Sequence, residues 1–204
     1  GETCLPLVSW GTKLFDFDND GWLDIFIANG HLEDHIEEYD HSSSFLQPRQ
    51  LFRNLGAGAF KEVSTSAGPA FETFYSSRGA AFGDLDNDGD VDIAVSNSRQ
   101  GPSLLWNEGG NRKSWVLLAL EGKKNRFAVG AFVKVTAGGV SQVAEVHAGA
   151  SYISQNDLRL HFGLGDAGLV ESVEVDWPEG LKEAFMNLEA RKIHRLVEGT
   201  GAAR

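Results

Sequence analysis

The sequence has few of the features that cross-link a chain or hold it in a membrane. Cys4 is the single cysteine among 204 residues, so the chain cannot form an internal disulfide. The longest purely apolar run, Trp115 to Leu120, is far too short to span a bilayer, which predicts that there is no transmembrane segment. The first residues do not have the pattern of a signal peptide and the sequence does not begin with Met, so we expect a processed piece of a longer protein.

Positive charge is also scarce. The 18 Lys and Arg residues stand against 29 Asp and Glu residues, which gives a formal net charge of −11. Nine of these acids lie in two short segments, and without those nine the net charge would be −2. The acidity is therefore local. Because nucleic acids are bound by basic faces, we expect no nucleic-acid partner.

Signatures of catalysis are missing. Ser9, Ser76 and Ser77 lack the context of a nucleophile elbow, and there is no glycine loop of the type that binds phosphate. Cys4 has no evident activating base near it in the sequence. We therefore expect a protein that is not an enzyme.

Regular segments are short and are separated by frequent turn residues, including 24 glycines. This profile is typical of an all-β protein. Two segments with nearly the same sequence stand out. DFDNDGWLDI begins at Asp16 and DLDNDGDVDI begins at Asp84. When these segments are aligned, residues 51–54 also match residues 104–107, provided that the first repeat contains an insertion of about 15 residues at 30–44.

Each repeat is predicted to contain a strand, an acidic loop, a second strand and a third strand that ends in Asn. Such a unit cannot bury both of its faces alone, so repeats of this kind stack. Radial stacking of four-stranded units gives a β-propeller, which needs about four to eight blades to close. Two repeats cannot close, and we therefore expect the blades of a partial propeller.

The acidic loops have the spacing of a cation site. Acids stand at positions 1, 3, 5 and 9 of each loop, and Gly21 or Gly89 stands at position 6. The alternation places successive carboxylates on one side of a curled backbone, and glycine supplies the positive φ that the curl needs. Oxygen ligands in this number favour Ca²⁺ over Mg²⁺, which predicts two calcium sites. The alternative is a turn with solvated acids, but like charges about 4 Å apart repel by roughly 4 kcal/mol per pair at an effective dielectric constant near 20.

Two further positions of the loop have expected roles. Position 7, Trp22 or Asp90, is expected to offer its carbonyl oxygen to the ion. Position 8, Leu23 or Val91, is expected to point into the core and anchor the loop.

The pattern DxDxDGxxD between strands, with FGD at residues 82–84, resembles the FG-GAP or VCBS repeat of integrin-type β-propellers. The stretches RGAAFGDLDNDGDVDI and LLWNEGGN are similar to the last repeats of bacterial proteins related to cartilage acidic protein, in which Arg is usual where this chain has Trp106. The resemblance implies two sets of metal ligands. They are Asp16, Asp18, Asp20, Trp22 and Asp24 in the first loop, and Asp84, Asp86, Asp88, Asp90 and Asp92 in the second.

The last third of the chain differs in character. Residues 132–147 predict a hairpin with a turn at Gly138 and Gly139, and residues 169–177 alternate as a strand does. Residues 181–188 carry apolar side chains at helical spacing, but the preceding Pro-Glu-Gly turn favours a strand from Leu181 to Met186. The stretches VGAFVKVTAGG, GASYISQNDLRLHFGLG and VESVEVDWPEG resemble the ASPIC/UnbV domain. We expect calcium-binding repeats over 1–111 and a small β-sandwich-like domain over 112–204.

Two functions remain open. The first is a secreted or cell-surface, bacterial, non-enzymatic calcium-binding module that takes part in adhesion or binds a protein or glycan ligand. The second is an enzyme or enzyme accessory that binds a metal through His31, His35 and His41 in the inserted segment. The polar SYISQND stretch at 151–157 is either a ligand site or a hydrogen-bonded turn that fixes the order of strands.

Overall fold

The computed structural model describes residues 2–204 and shows an all-β chain, as the sequence predicts. Within these residues, helical structure is limited to short 3₁₀ turns, at Glu2–Cys4, Ile36–Glu38, Ser64–Ser66, Pro69–Phe71 and Gly110–Arg112. In the same part of the chain, no helix has the length and apolar character needed to cross a membrane.

Seven strands form two sheets in the first part of the chain. They are β1 (Ser9–Phe15), β2 (Asp24–Asn29), β3 (Gln50–Asn54), β4 (Phe60–Glu62), β5 (Ser77–Gly83), β6 (Asp92–Asn97) and β7 (Ser103–Leu105). Strands β1 to β4 form one antiparallel sheet in chain order, and β5 to β7 form another. One acidic loop connects β1 to β2 and the other connects β5 to β6. The predicted order of strand, loop, strand and strand is therefore observed twice.

The two hairpins have the same register. Phe15 pairs with Asp24 in the first and Gly83 pairs with Asp92 in the second. Position 9 of each loop is thus the first residue of the returning strand and lies opposite the last residue of the outgoing strand. This register places the carboxylate of position 9 at the mouth of the loop in both repeats.

Three phenylalanines join the two sheets in one core. The Phe82 ring of β5 lies 5.2 Å from the Phe15 ring of β1 and 5.7 Å from the Phe26 ring of β2, in tilted and edge-on arrangements. Such aromatic pairs contribute about 0.5–1.5 kcal/mol each beyond the burial of their area. The repeats are therefore packed side by side through their first strands.

The second sheet has three strands because the segment that would form its fourth strand enters a different sheet. Phe60 begins β4 six residues after Asn54, and the equivalent residue after Asn107 is Lys113. The 3₁₀ turn Gly110–Arg112 precedes Lys113, and the next strand, β8 (Ser114–Glu121), belongs to a different sheet.

Two sheets surround a second core in the rest of the chain. The further strands are β9 (Phe132–Ala137), β10 (Val140–Glu145), β11 (Leu160–Gly165), β12 (Leu169–Asp176), β13 (Lys182–Glu189), β14 (Lys192–Val197) and β15 (Ala202–Ala203). One sheet has the order β10-β9-β12-β13-β15, and the other has the order β11-β8-β14 with β8 and β14 parallel. Val116 and Leu118 of the smaller sheet share a buried cluster with Val133 and Val173 of the larger sheet.

The strand predictions for this part are confirmed. Gly138 and Gly139 both have positive φ, 56° and 74°, and form the two-residue turn between β9 and β10. Residues 182–189 form β13 rather than a helix, because both neighbours β12 and β15 pair with them. Pairing between strands overrides the local helical spacing there.

Candidate metal centre

The two acidic loops have the same backbone conformation. Gly21 and Gly89 adopt positive φ values of 89° and 100°, as the loop spacing predicts. Asn19 and Asn87, at position 4, also have positive φ, 55° and 63°, which sequence reasoning missed. The signal was present, because Asn is the residue after Gly that most readily adopts this conformation.

The first carboxylate of each loop holds the curl together. Asp16 accepts the backbone N–H of Asp20 at 3.1 Å through Oδ1 and that of Gly21 at 2.7 Å through Oδ2. Asp84 accepts the N–H groups of Asp88 and Gly89, both at 3.1 Å. Position 1 therefore shapes the loop as well as facing its interior.

The carboxylate at position 9 of each loop is hydrogen-bonded to the third strand of its repeat or to the residues just after that strand. Asp24 accepts the N–H of Asn54, at the end of β3, at 2.7 Å and the N–H of Phe17 at 3.1 Å. Asp92 accepts the N–H groups of Asn107 and Leu85, both at 3.0 Å. The Asn that ends each repeat in the alignment, Asn54 or Asn107, is thus the residue whose backbone N–H donates to the carboxylate at position 9.

Each loop gathers three carboxylates whose nearest oxygens lie within 4.8 Å of one another. The groups are Asp16, Asp18 and Asp24 in the first loop, and Asp84, Asp86 and Asp88 in the second. The structure therefore brings together six of the predicted ligand residues. Asp20, Asp90 and Asp92, which are also predicted ligands, belong to the same loops but not to these two groups.

A guanidinium bridges two carboxylates of the first loop, Asp18 and Asp20. Arg53 Nη2 is 2.6 Å from Asp18 Oδ2 and 3.3 Å from Asp20 Oδ2, and Lys113 Nζ is 3.9 Å from Asp20. The aligned residue in the second repeat is Trp106, which is half exposed and carries no charge. The first loop thus has a protein cation beside its carboxylates that the second loop lacks at this position.

Burial makes the negative charge of these loops costly. It raises the pKa of Asp16 to about 7 and that of Asp24 to about 6, and the neighbouring carboxylates add to both shifts. In the second loop, burial raises the pKa of Asp90 to about 7, with Asp88 and Asp92 adding to it. Burial also raises the pKa of Asp18, Asp84 and Asp92.

Several buried oxygens at the loops lack a hydrogen-bond donor. Among the described residues these include Asp18 Oδ1, Asn19 Oδ1 and Asp90 Oδ1. Asp90 is 1% exposed, and its other oxygen accepts the N–H of Asn111 at 3.2 Å. Buried oxygens without donors, set among carboxylates, are the surroundings that a hard cation with oxygen ligands satisfies, so the residues present fit Ca²⁺.

Positions 7 and 8 behave differently in the two loops. Val91 is buried in the repeat core, as expected, but the expectation for Leu23 is wrong because this side chain is 48% exposed. Leu23 and Trp22 line an open crevice beside the C-terminal sheets instead. The N–H of Trp22 donates to Asp20 Oδ1 at 2.9 Å.

The C-terminal sheets lie directly against the first loop. A Cβ placed on Gly163 of β11 would lie 2.0 Å from Asp16 Oδ2 and 2.6 Å from Asn19 Cα, so only glycine fits there. The N–H of Gly165 donates to the carbonyl of Asn19 at 2.9 Å. Asn19 Nδ2 in turn donates to the carbonyl of Gly89 at 3.0 Å, which connects the two loops.

The second loop has its own contacts with these sheets. The Trp115 indole of β8 packs directly against Gly89, where an added Cβ would be 1.8 Å from Cε2. His161 Nε2 donates to the Gly89 carbonyl at 3.1 Å, and burial lowers the pKa of His161 to about 4, so the ring is neutral. Arg159 donates to Asn87 Oδ1 at 2.6 Å and to the Asp84 carbonyl at 2.7 Å. These contacts join residues more than 20 positions apart, and no local pattern signals them.

The SYISQND stretch contacts both first strands of the repeats. Ser151 Oγ accepts the N–H of Thr12 at 2.8 Å, and Asn156 Oδ1 accepts the N–H of Phe82 at 3.1 Å. Tyr152 packs on Trp10 with a ring separation of 4.8 Å. The stretch is hydrogen-bonded to the repeats, in agreement with the structural alternative.

The inserted histidines do not form a comparable cluster. The His31 ring is hydrogen-bonded to the N–H of Glu33 at 3.1 Å, and the exposed His35 lies 3.4 Å from Glu38 and 3.7 Å from Asp34. Across residues 2–204, the groups of three or more potential metal ligands contain only aspartates from the two loops. Metal binding by His31, His35 and His41 stays a prediction that the geometry does not favour.

Comparison with known proteins finds two family models that match separate parts of the chain. Residues 16–95 match the family model described as FG-GAP-like repeat, and residues 121–203 match the one described as ASPIC and UnbV. Cartilage acidic protein 1 of Homo sapiens is 28% identical over 187 residues, and its Mus musculus counterpart is 29% identical over 187 residues. These alignments cover 90% of this chain but only 27% of the relatives. The relatives are animal proteins and give no support to the expected bacterial origin.

Proposed function

Because the chain joins an FG-GAP-like repeat to an ASPIC and UnbV region, we propose that it is a non-enzymatic calcium-binding module. It acts outside the cell, secreted or at the cell surface, in adhesion or in binding a protein or glycan ligand. Its two repeat sheets are consecutive blades of a β-propeller, since they pack through their first strands around shared phenylalanines. The C-terminal sheets form a distinct domain, in the division at 111/112 that the sequence suggests.

The observation that carries this proposal is that one hydrogen-bond network is built twice. Both loops use positions 1 and 9 to fix the backbone, and both hold three carboxylates within 4.8 Å. Asp16, Asp18 and Asp24 are the carboxylate ligands of the first ion. Asp84, Asp86 and Asp88 are those of the second, and the carbonyls of Trp22 and Asp90 complete the oxygen ligands. Asp20 and Asp92 serve mainly as partners of Arg53 and of the backbone.

Calcium supplies the stability that disulfides give other extracellular modules. Sites of this class bind Ca²⁺ with dissociation constants of about 10⁻⁴–10⁻³ M, which suits calcium-rich surroundings. At free calcium one hundred times the dissociation constant, each site would stabilise the fold by about 2.7 kcal/mol. For a chain of this length, that corresponds to a rise in melting temperature of about 5–11 °C per site.

Thermal unfolding in calcium and in chelator tests the proposal. We expect the wild type to melt higher in calcium than in chelator, and magnesium to give a smaller shift. The double variant Asp16→Asn/Asp84→Asn should lose the calcium shift. Asp166→Asn, which changes an exposed acid outside the loops, should keep it. A wild type that melts at the same temperature in both buffers would refute calcium binding.

A further inference from the structure

A crevice separates the repeats from the C-terminal sheets. Its volume is about 1130 Å³, and residues of β1, β5, β10, β11 and the first acidic loop line it. Leu14, Trp22 and Val143 are 54%, 54% and 59% exposed along it, which gives the crevice apolar walls. A concave space of this size, with apolar walls and a few polar groups, has the usual form of a ligand site.

One charged group along the crevice forms no ion pair with the described part of the chain. Lys13 is half-buried on β1, and its Nζ lies 5.5 Å from the centroid of the Phe82 ring. Among the side chains that the structure describes, no carboxylate forms an ion pair with Lys13 and no acceptor is hydrogen-bonded to its Nζ. Burial lowers the pKa of Lys13, and the attraction of the nearby Asp157 carboxylate opposes this shift without reversing it.

The carboxylates around the crevice already have partners. Asp157 accepts the N–H of Arg159 at 2.9 Å and its Nε at 2.6 Å. Asp16 and Asp84 each accept two backbone N–H groups within their loops. Glu145 lies 3.7 Å from His147. Within residues 2–204, Lys13 is therefore the cationic side chain of the crevice lining that has no hydrogen-bond or ion-pair partner, although the lining contains more carboxylates than cations.

We propose that this crevice binds a ligand that carries a carboxylate on an apolar or aromatic body. The carboxylate accepts a charge-assisted hydrogen bond from Lys13 Nζ, and the body of the ligand lies against the exposed side chains of Leu14, Trp22 and Val143. A carboxylate from a small molecule and one from the C-terminus of a peptide share this chemistry. The inference names a ligand for the module and does not depend on metal binding by the loops.

Nuclear magnetic resonance titrations of the full chain test the proposal with two pairs of probes. The first pair is 4-phenylbutyrate and its uncharged amide. The second is acetyl-Ala-Leu-Phe with a free C-terminal carboxylate and the same peptide with a C-terminal amide. We expect both acids to shift resonances of Lys13 and Phe82 and to bind more tightly than their amides. A stronger response to one acid identifies the source of the carboxylate.

Three variants decide whether Lys13 is responsible. Lys13→Met should weaken binding of the acids by about tenfold or more, since hydrogen bonds to charged groups contribute about 1.5–3 kcal/mol. Lys13→Arg should restore most of the affinity, and Lys61→Met, an exposed lysine on β4, should leave it unchanged. Lys13→Met removes an ammonium group whose burial is unfavourable, so this variant should melt no lower than the wild type. An unchanged melting temperature would also show that the variant folds.

The outcomes separate this inference from calcium binding. Titrations in calcium and in chelator should both depend on Lys13, and this result supports the crevice site even if the loops bind no ion. Equal affinity for an acid and its amide, or for the wild type and Lys13→Met, would overturn the proposal. The absence of any shift up to the solubility limit of both acids would overturn it as well.

Discussion

Substituting Gly163 by alanine is the sharpest test of the contact between the C-terminal sheets and the first loop. The added Cβ would lie 2.0 Å from Asp16 Oδ2 and 2.8 Å from the carbonyl carbon of Asn19. Contacts below 3.0 Å are essentially never seen, so the carboxylate and β11 must separate by about 1 Å. Gly163 does not have positive φ, and the effect is therefore steric rather than conformational.

The expected size of this effect follows from overpacking. An additional methyl group in a filled interior costs about 1–3 kcal/mol, and the displaced Asp16 also loses its 2.7 Å bond from Gly21. For a chain of about 200 residues, each kcal/mol lowers the melting temperature by about 2–4 °C. We therefore expect Gly163→Ala to melt about 2–12 °C lower. Calcium affinity should fall at the first loop, where Asp16 moves, and stay unchanged at the second.

Gly168→Ala is the matched control. Gly168 precedes β12, does not have positive φ, and has no atom within 4 Å of the position that an added methyl group would occupy. Its substitution should change the free energy of unfolding by no more than about 0.5 kcal/mol, or stabilise the fold slightly by restricting the unfolded chain. Urea unfolding followed by circular dichroism compares the two variants. If Gly163→Ala unfolded at the same urea concentration as Gly168→Ala, the close approach of β11 to the loop would be wrong.

Two further predictions concern the charge of the loops. Arg53→Met should raise the calcium affinity of the first loop, because it removes a competing cation. It should lower the stability of the metal-free protein by less than about 1 kcal/mol, because the ion pair is partly exposed. The control is Arg99→Met, which removes an ion pair with Asp34 of the inserted segment and should change neither the affinity nor the stoichiometry of calcium binding in a calorimetric titration. The pKa values of Asp16, Asp24 and Asp90 are raised from 3.8 to about 7, 6 and 7, so the metal-free protein should have the full contribution of these groups below pH 4 and lose stability as the pH rises to 7. Melting curves in chelator across this range should show that fall and saturating calcium should reduce it; a flat profile in chelator would contradict the raised pKa values.

The sequence is most informative where the structure is local and repeated. The duplicated loop, the positive φ of Gly21 and Gly89, and the two-glycine turn after β9 depend only on residues within a few positions of one another. In the ambiguous segment 181–188, the turn before it predicts the strand correctly where periodicity alone favours a helix. The alignment of the two repeats also matches Asn54 with Asn107, the residues that position 9 of each loop contacts.

What the sequence does not predict depends on contacts between distant segments. Leu23 and Val91 occupy the same loop position, but Leu23 is about half exposed and Val91 is buried in the repeat core. The difference arises from what packs beside each repeat, and a periodic pattern does not contain that information. The pairing of Arg53 with Asp18, and the fit of Gly163 against Asp16, likewise arise only when the sheets are assembled.

The contact between Trp115 and Gly89 gives the protein an intrinsic optical reporter. The indole is 6% exposed and lies directly on the backbone of the second loop. Its emission therefore depends on the position and hydration of that backbone. Trp22, in the first loop, is 54% exposed and reports on different surroundings. Variants that retain only Trp115 or only Trp22 of the five tryptophans would thus allow each loop to be followed separately by fluorescence, without an attached label.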